Sequence, residues 1–227
     1  MVLKCIHLKY DTDKVNLART SINTEGDLVN GTPYTRPARE GRLKKYLGTC
    51  STVPLARDGC PQYWETETRV GQYKGLIENS IILEVGVCAE EEMDNDYCVA
   101  LRPHAYSMTV GYCTTHKGIC RKINKEGKEV LHLPDTIPNT AGSSDILHYG
   151  VVYDDAKKKI VFTDVKEMKV MSTLDNVDSG QLLWPMFGVH QSFLQMLFCG
   201  TVSMRLVVGS DINMTEEKKA MIVEALS

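Results

Sequence analysis

Nothing in the 227 residues approaches the ~20 consecutive apolar positions that a membrane-spanning helix needs. A basic excess is missing too. Lys and Arg number 26 against 29 Asp and Glu, for a net charge of −3, which separates the chain from nucleic-acid binders with their basic face. No Gly-x-Ser-x-Gly turn occurs to expose a serine nucleophile. Gly71-Gln72-Tyr73-Lys74-Gly75 lacks the length and the Lys-Ser/Thr end of a phosphate-binding loop, so it reads as a hairpin loop. The opening residues Met1 to His7 are too short and polar for a secretory signal. The eight cysteines therefore read as reduced thiols, and Asn30-Gly31-Thr32 and Asn213-Met214-Thr215 as chance sequons. The expectation is a cytoplasmic chain with no cofactor, no metal, no nucleic acid and no membrane partner.

What is present is a succession of short strands. The segment from His148 to Val165 sets Val151, Tyr153, Ile160 and Phe162 on either side of a charged turn at Asp154, Asp155 and Lys157 to Lys159. Further strands are predicted over 2–8, 15–22, 62–70, 80–88, 106–112, 118–123, 129–133, 146–153, 160–165, 169–174 and 202–208. Trp64, Thr66, Thr68 and Val70 alternate with Glu65, Glu67 and Arg69, the pattern of a strand with one wet side. Many short strands without long intervening helices predict an antiparallel sandwich or barrel. Residues 90–94 read as one helical turn or an acidic loop. Residues 216–226 read as a helix capped by Asn213 or Thr215 with acids in its first turn. Phe187 and Trp184 are expected in the core, with Met168, Met171, Met186, Met196 and Met204 filling gaps.

Several segments, in order, resemble the PRY–SPRY domain found at the C-terminus of tripartite-motif ubiquitin ligases and in butyrophilins. Tyr10-Asp11-Thr12 stands where that family opens with Leu-Asp-Pro. Tyr63-Trp64-Glu65-Thr66 resembles its Trp-Glu-Val motif. Val152-Tyr153-Asp154-Asp155 followed by Ile160-Val161-Phe162-Thr163-Asp164 resembles its Leu-Asp-Tyr-Glu motif and next strand. Leu183-Trp184-Pro185-Met186-Phe187 resembles its late Pro-Phe segment. Thr12 and Thr66 depart from the pattern and mark a divergent member.

The resemblance implies an all-β fold, a bent antiparallel β-sandwich of the concanavalin-like jelly-roll kind, followed here by a short C-terminal helix. It implies one domain over 1–227, with a PRY-like part over about 1–58, a SPRY part over about 59–209 and the helix over about 214–226. The implied function is non-catalytic recognition of a protein or peptide, as the target-binding domain of a tripartite-motif-type ligase. The parent chain would then oligomerise through a coiled coil absent from these residues. Carried over, the partner contacts fall on the segments from His104 to His116 and from Gly188 to Phe193. They single out His104, Tyr106, Tyr112, Thr115, His116, His190, Gln191 and Phe193, with Tyr73 as a rim candidate. Rigid rings in polar turns suit such contacts.

Two other readings stand beside it. Arg102, His104, His116 and Lys117 would have to converge to take a phosphorylated metabolite. Met221, Ile222, Ala225 and Leu226 would serve either self-association or cover of the domain's own sheet. The spacing Cys113-x2-His116-x3-Cys120 offers three corners of a zinc tetrahedron, with Cys98 or His104 as the fourth. The same residues read more simply as a hairpin, strand to Tyr112, turn over 114–117 and strand from Gly118, and that reading is taken.

Overall fold

The structure, a computed structural model, describes residues 2–17, 20–31, 40–71, 80–134, 142–178, 180–190 and 200–227, and the statements below concern these residues. In chain order the first strands are β1 (Lys4–Cys5), β2 (Thr20–Ile22), β3 (Leu28–Asn30), β4 (Gly48–Cys50), β5 (Gln62–Gly71) and β6 (Ile81–Ala89). The hairpin strands β7 (Ala105–Cys113), β8 (Gly118–Lys125), β9 (Lys128–Pro134), β10 (Ser144–Asp154) and β11 (Lys159–Asp164) follow. Last come β12 (Lys169–Leu174), β13 (Leu183–Val189), β14 (Thr201–Leu206) and the helix α1 (Glu216–Leu226).

One sheet runs β12-β11-β10-β5-β14-β3-β2, with β1 added parallel to the start of β5. The other runs β4-β13-β6-β7-β8-β9, and its pairings are all antiparallel. Trp64, Val70, Tyr149, Val151 and Phe162 of the first sheet pack against Val85, Val87, Tyr106, Met108 and Phe187 of the second. This is the expected sandwich. The charged hairpin forms as predicted, pairing Val151 with Phe162 and Tyr153 with Ile160. The first strands are shorter than the pattern implied, and β3 and β4 carried no alternation long enough to read. The acidic segment at 90–92 is a single 3-10 turn.

The outer faces of the two sheets are where the sequence misled. Trp64, Thr66, Thr68 and Val70 do face the core, but Glu65 on the opposite side is only 2% exposed. The reason is α1. Its cap Thr215 accepts from the Lys218 amide, and Ile222 and Leu226 seat on Tyr63, Val152 and Val161 across the outer face of the first sheet. The Lys218 ammonium lies 2.8 Å from Glu65 Oε1, the Tyr63 hydroxyl donates to the same oxygen (2.7 Å), and His148 Nε2 lies 2.7 Å from Oε2. Burial alone would raise the Glu65 carboxyl, but these partners hold it below the usual range. A Cβ at Gly150 would collide with the Tyr63 hydroxyl, so the strand crossing beside this cluster needs its glycine. Lys157 of the charged turn donates to the Leu226 carbonyl (2.9 Å) at the end of α1.

The second sheet is covered in the same sense by loops. Leu43, Tyr46, Met93 and Val99 form a small apolar cluster over Cys50, Cys88, Ala105 and Met186. Glu84, on the outer side of β6, accepts the amides of Val99 (2.9 Å) and Ala100 (2.8 Å) and the Ser107 hydroxyl (3.0 Å). Trp184 is half-buried and not a core residue, with the Lys14 ammonium 4.7 Å above its ring. Met171, Met186 and Met204 are buried, whereas Met168 sits in a turn at φ +49° and Met196 lies outside the described residues.

Candidate functional site

The β7–β8 hairpin turns over residues 114–117, where Lys117 takes the left-handed conformation (φ +51°) and donates to the Thr114 carbonyl (3.3 Å). Gly111 pairs with Cys120, and Lys122 with His132. Side chains alternate along strands and agree in face across pairs. Cys113, Cys120 and His132 therefore share one face, while Ile119, Ile123, Leu131 and Leu133 serve the core from the other. His116 comes back from the turn onto the first face. Its Nδ1 lies 3.6 Å from Cys113 Sγ and 3.2 Å from Cys120 Sγ.

The donor atoms of Cys113, His116, Cys120 and His132 all lie within 4.8 Å of one another. The hairpin was read correctly, but the fourth member of the constellation was not. Cys98 is buried beside Glu84, and His104 Nδ1 sits 3.1 Å from Asp178. His132 takes the place instead, brought across by the β8–β9 pairing. Burial pushes the Cys113 thiol up, but the His116 amide and the Cys120, Thr115 and His116 side chains outweigh it and bring it down to about 6.

Beside this group a cleft of about 330 Å³ opens on the outer face of the second sheet. Tyr97, Ala100 and Leu101 form its loop wall, and Gly111, Lys122 and Glu129 belong to its strand floor. Leu101 is 56% and Tyr97 37% exposed, which leaves two large apolar side chains in the same wall. Glu84 holds that wall through the Val99 and Ala100 amides. Full burial raises the Glu84 carboxyl to about 7 despite those donors. A wider depression of about 880 Å³, bordered by Arg69, Ile146, His148 and Lys166, lies on the first sheet and contains none of the anticipated residues.

Of the anticipated contact residues, Thr115 and His116 are exposed on the turn, and Tyr112 is half-exposed beside the cleft. His104 is half-buried at φ +48°, turned toward Asp178. Tyr106 and His190 offer no contact surface. Tyr106 has no exposed surface, because its ring points between the sheets while its hydroxyl donates to Glu126 (2.9 Å) and accepts the Asp178 amide (2.8 Å). His190 is 5% exposed at the end of β13, and burial lowers its imidazole to about 3. Tyr73, Gln191 and Phe193 lie outside the described residues. Two of the four basic residues of the metabolite reading are already engaged with carboxylates, while Lys117 is exposed on the turn. Arg102 is buried 3.3 Å from Asp96, and His104 faces Asp178.

The two sheets, their order and the loop-bearing hairpins define a SPRY-like β-sandwich fold. Among solved structures the chain is similar to the TRIM65 PSpry domain, with a TM-score of 0.62 at 12% identity, covering 88% of this chain and 90% of that one. It is similar to stonustoxin over 88% of this chain and 28% of that one, with a TM-score of 0.57 at 15% identity. Lectin I from Ulex europaeus, in complex with the methyl glycoside of alpha-L-fucose, follows at TM-score 0.50 and 8% identity, with 88% and 90% covered. No family model matches the sequence, and no curated protein does. At these identities the similarity establishes the fold.

Proposed function

We propose that this chain is a non-catalytic recognition module that binds a protein or peptide through the outer face of its second sheet. The observation that carries the reading is the cleft beside the β7–β8 hairpin, with Tyr97 and Leu101 exposed on a wall that Glu84 holds in place. Exposed apolar side chains beside a polar floor are the usual anatomy of an interaction site. The Lys122 and Glu129 floor pair, 2.9 Å apart, supplies a polar contact of either sign. The resemblance to tripartite-motif proteins supports the further reading that the module selects a target for ubiquitin transfer. The C-terminal helix is the weaker candidate for a contact surface, since its apolar residues already cover the domain's own sheet.

The test compares the parent with Leu101→Asp and with Tyr97→Asp in affinity capture, each confirmed folded by thermal melt. A captured protein is then purified and titrated against all three. Loss of at least tenfold in affinity for either variant is the expected result, as for an interface anchor. Unchanged affinity in both would move the contact surface away from this cleft.

A further inference from the structure

The geometry points to a zinc-class metal site formed by Cys113, His116, Cys120 and His132. It stands without the recognition reading, because it rests on the donor set alone. Two thiolates and two imidazoles are a borderline-soft, four-donor set that suits tetrahedral zinc. Metal–sulfur and metal–nitrogen bonds of about 2.3 and 2.0 Å give a tetrahedron with edges of roughly 3.3 to 3.8 Å. His116 Nδ1 is already close to that range, at 3.6 Å from one sulfur and 3.2 Å from the other, and the whole group spans no more than 4.8 Å. The widest separation within the group has to shorten by about 1 Å to reach a tetrahedral edge, which side-chain rotation on binding supplies.

The surroundings of His132 carry the inference further. Its Nδ1 lies 3.0 Å from Glu129 Oε1, and the other oxygen of Glu129 is held by Lys122 at 2.9 Å. Its Nε2 is shielded from solvent and has no hydrogen-bond partner among the described residues. A buried imidazole nitrogen without a partner is costly, and a metal ion bound there would satisfy it. Carboxylate on one ring nitrogen and metal on the other is the common outer-shell arrangement, which fixes the tautomer and the ring orientation. The His116 and His132 rings meet edge to face, 5.0 Å between centroids and 83° apart. Binding sets one divalent ion against two thiolates, any remaining thiol proton passing to solvent, and leaves the site neutral.

The consequence is mechanical. The ion ties the 114–117 turn to β8 and β9, and Glu129 and Lys122 belong at once to the outer shell and to the floor of the cleft. Loading the site would fix the turn that carries Thr115 and His116 beside that cleft.

The test is titration of the chelator-stripped, reduced protein with Co2+ and then Zn2+. Expected are one equivalent of Co2+, tetrahedral d–d absorption with a thiolate charge-transfer band, and displacement by one equivalent of Zn2+. Cys113→Ser and His116→Ala should abolish the tetrahedral spectrum. Glu129→Gln should weaken binding about 10- to 100-fold, the effect of losing an outer-shell partner. Cys60→Ser, remote from the cluster, should change nothing. Cys120 is fully buried and its variants are at risk of misfolding, so His116→Ala, exposed on the turn, decides. No Co2+ binding, a spectrum without the thiolate band, or binding unaffected by His116→Ala and Cys113→Ser would each overturn the site.

Discussion

The ammonium of Lys218, in the C-terminal helix, lies 2.8 Å from the carboxylate of Glu65, in the central strand β5 of the first sheet, and both are buried. This contact joins the last element of the chain to one of its earliest long strands. It makes the helix part of the sandwich. Lys218→Met leaves Glu65 buried with only Tyr63 and His148, and breaking a buried pair from one side costs several kcal/mol. The expected loss is about 3 kcal/mol, because two of the three partners remain. Urea denaturation of the two proteins at neutral pH measures it, and a loss below about 1 kcal/mol would show that His148 suffices.

Removal of the helix tests the same relationship on the apolar side. A chain ending at residue 214 uncovers Tyr63, Val152 and Val161, an apolar patch on an otherwise solvated face. The truncated protein should self-associate in light scattering behind size exclusion, and Tyr63→Ser with Val161→Thr should reduce that association. If it stays monomeric with unchanged stability, the helix is dispensable cover.

The buried titrating groups predict an uneven pH profile. Glu84 titrates at about 7 in the folded chain against 4.5 for the free group, so the folded state binds the extra proton between those values. Its contribution to stability is present below about pH 4.5 and is lost as pH rises toward 7. His190 titrates at about 3 against 6.5, so there the unfolded state binds the extra proton. Its contribution is present above about pH 6.5 and is lost as pH falls. The two slopes oppose each other between about 4.5 and 6.5, where the wild type should be nearly flat. Glu84→Gln should then show stability rising with pH over that window, and His190→Gln the reverse. Glu65, held below 4.5, adds a loss at the acid end as pH falls through its folded value. Denaturation midpoints at half-unit pH steps in the three proteins check the signs. A single variant that stays flat would remove its partner group from the account.

Much of the sandwich was legible because β5, β6, β7, β8, β10 and β11 carry long runs of alternating or continuous β-formers, and period two is a local property. Leu28–Asn30 and Gly48–Cys50 were not legible, since three residues cannot show a period; they are strands only because neighbouring sheet edges recruit them. Glu65 was misread for a related reason. Alternation tells which residues share a face and is silent on what later covers that face.

The candidate site divides along the same line. Chain order alone determined that Cys113, His116 and Cys120 lie around one tight turn, because a four-residue hairpin connection keeps them together whatever the rest does. Only the tertiary structure decided that His132 joins them and that Cys98 and His104 do not. That choice depends on strand register, and register is set by how the whole sheet buries Ile119, Ile123, Leu131 and Leu133. It likewise decided that Tyr106 and His190, aromatic residues near polar turns, spend their rings on the interior. Sequence fixes which residues are neighbours along the strand, whereas burial is a property of the assembled faces.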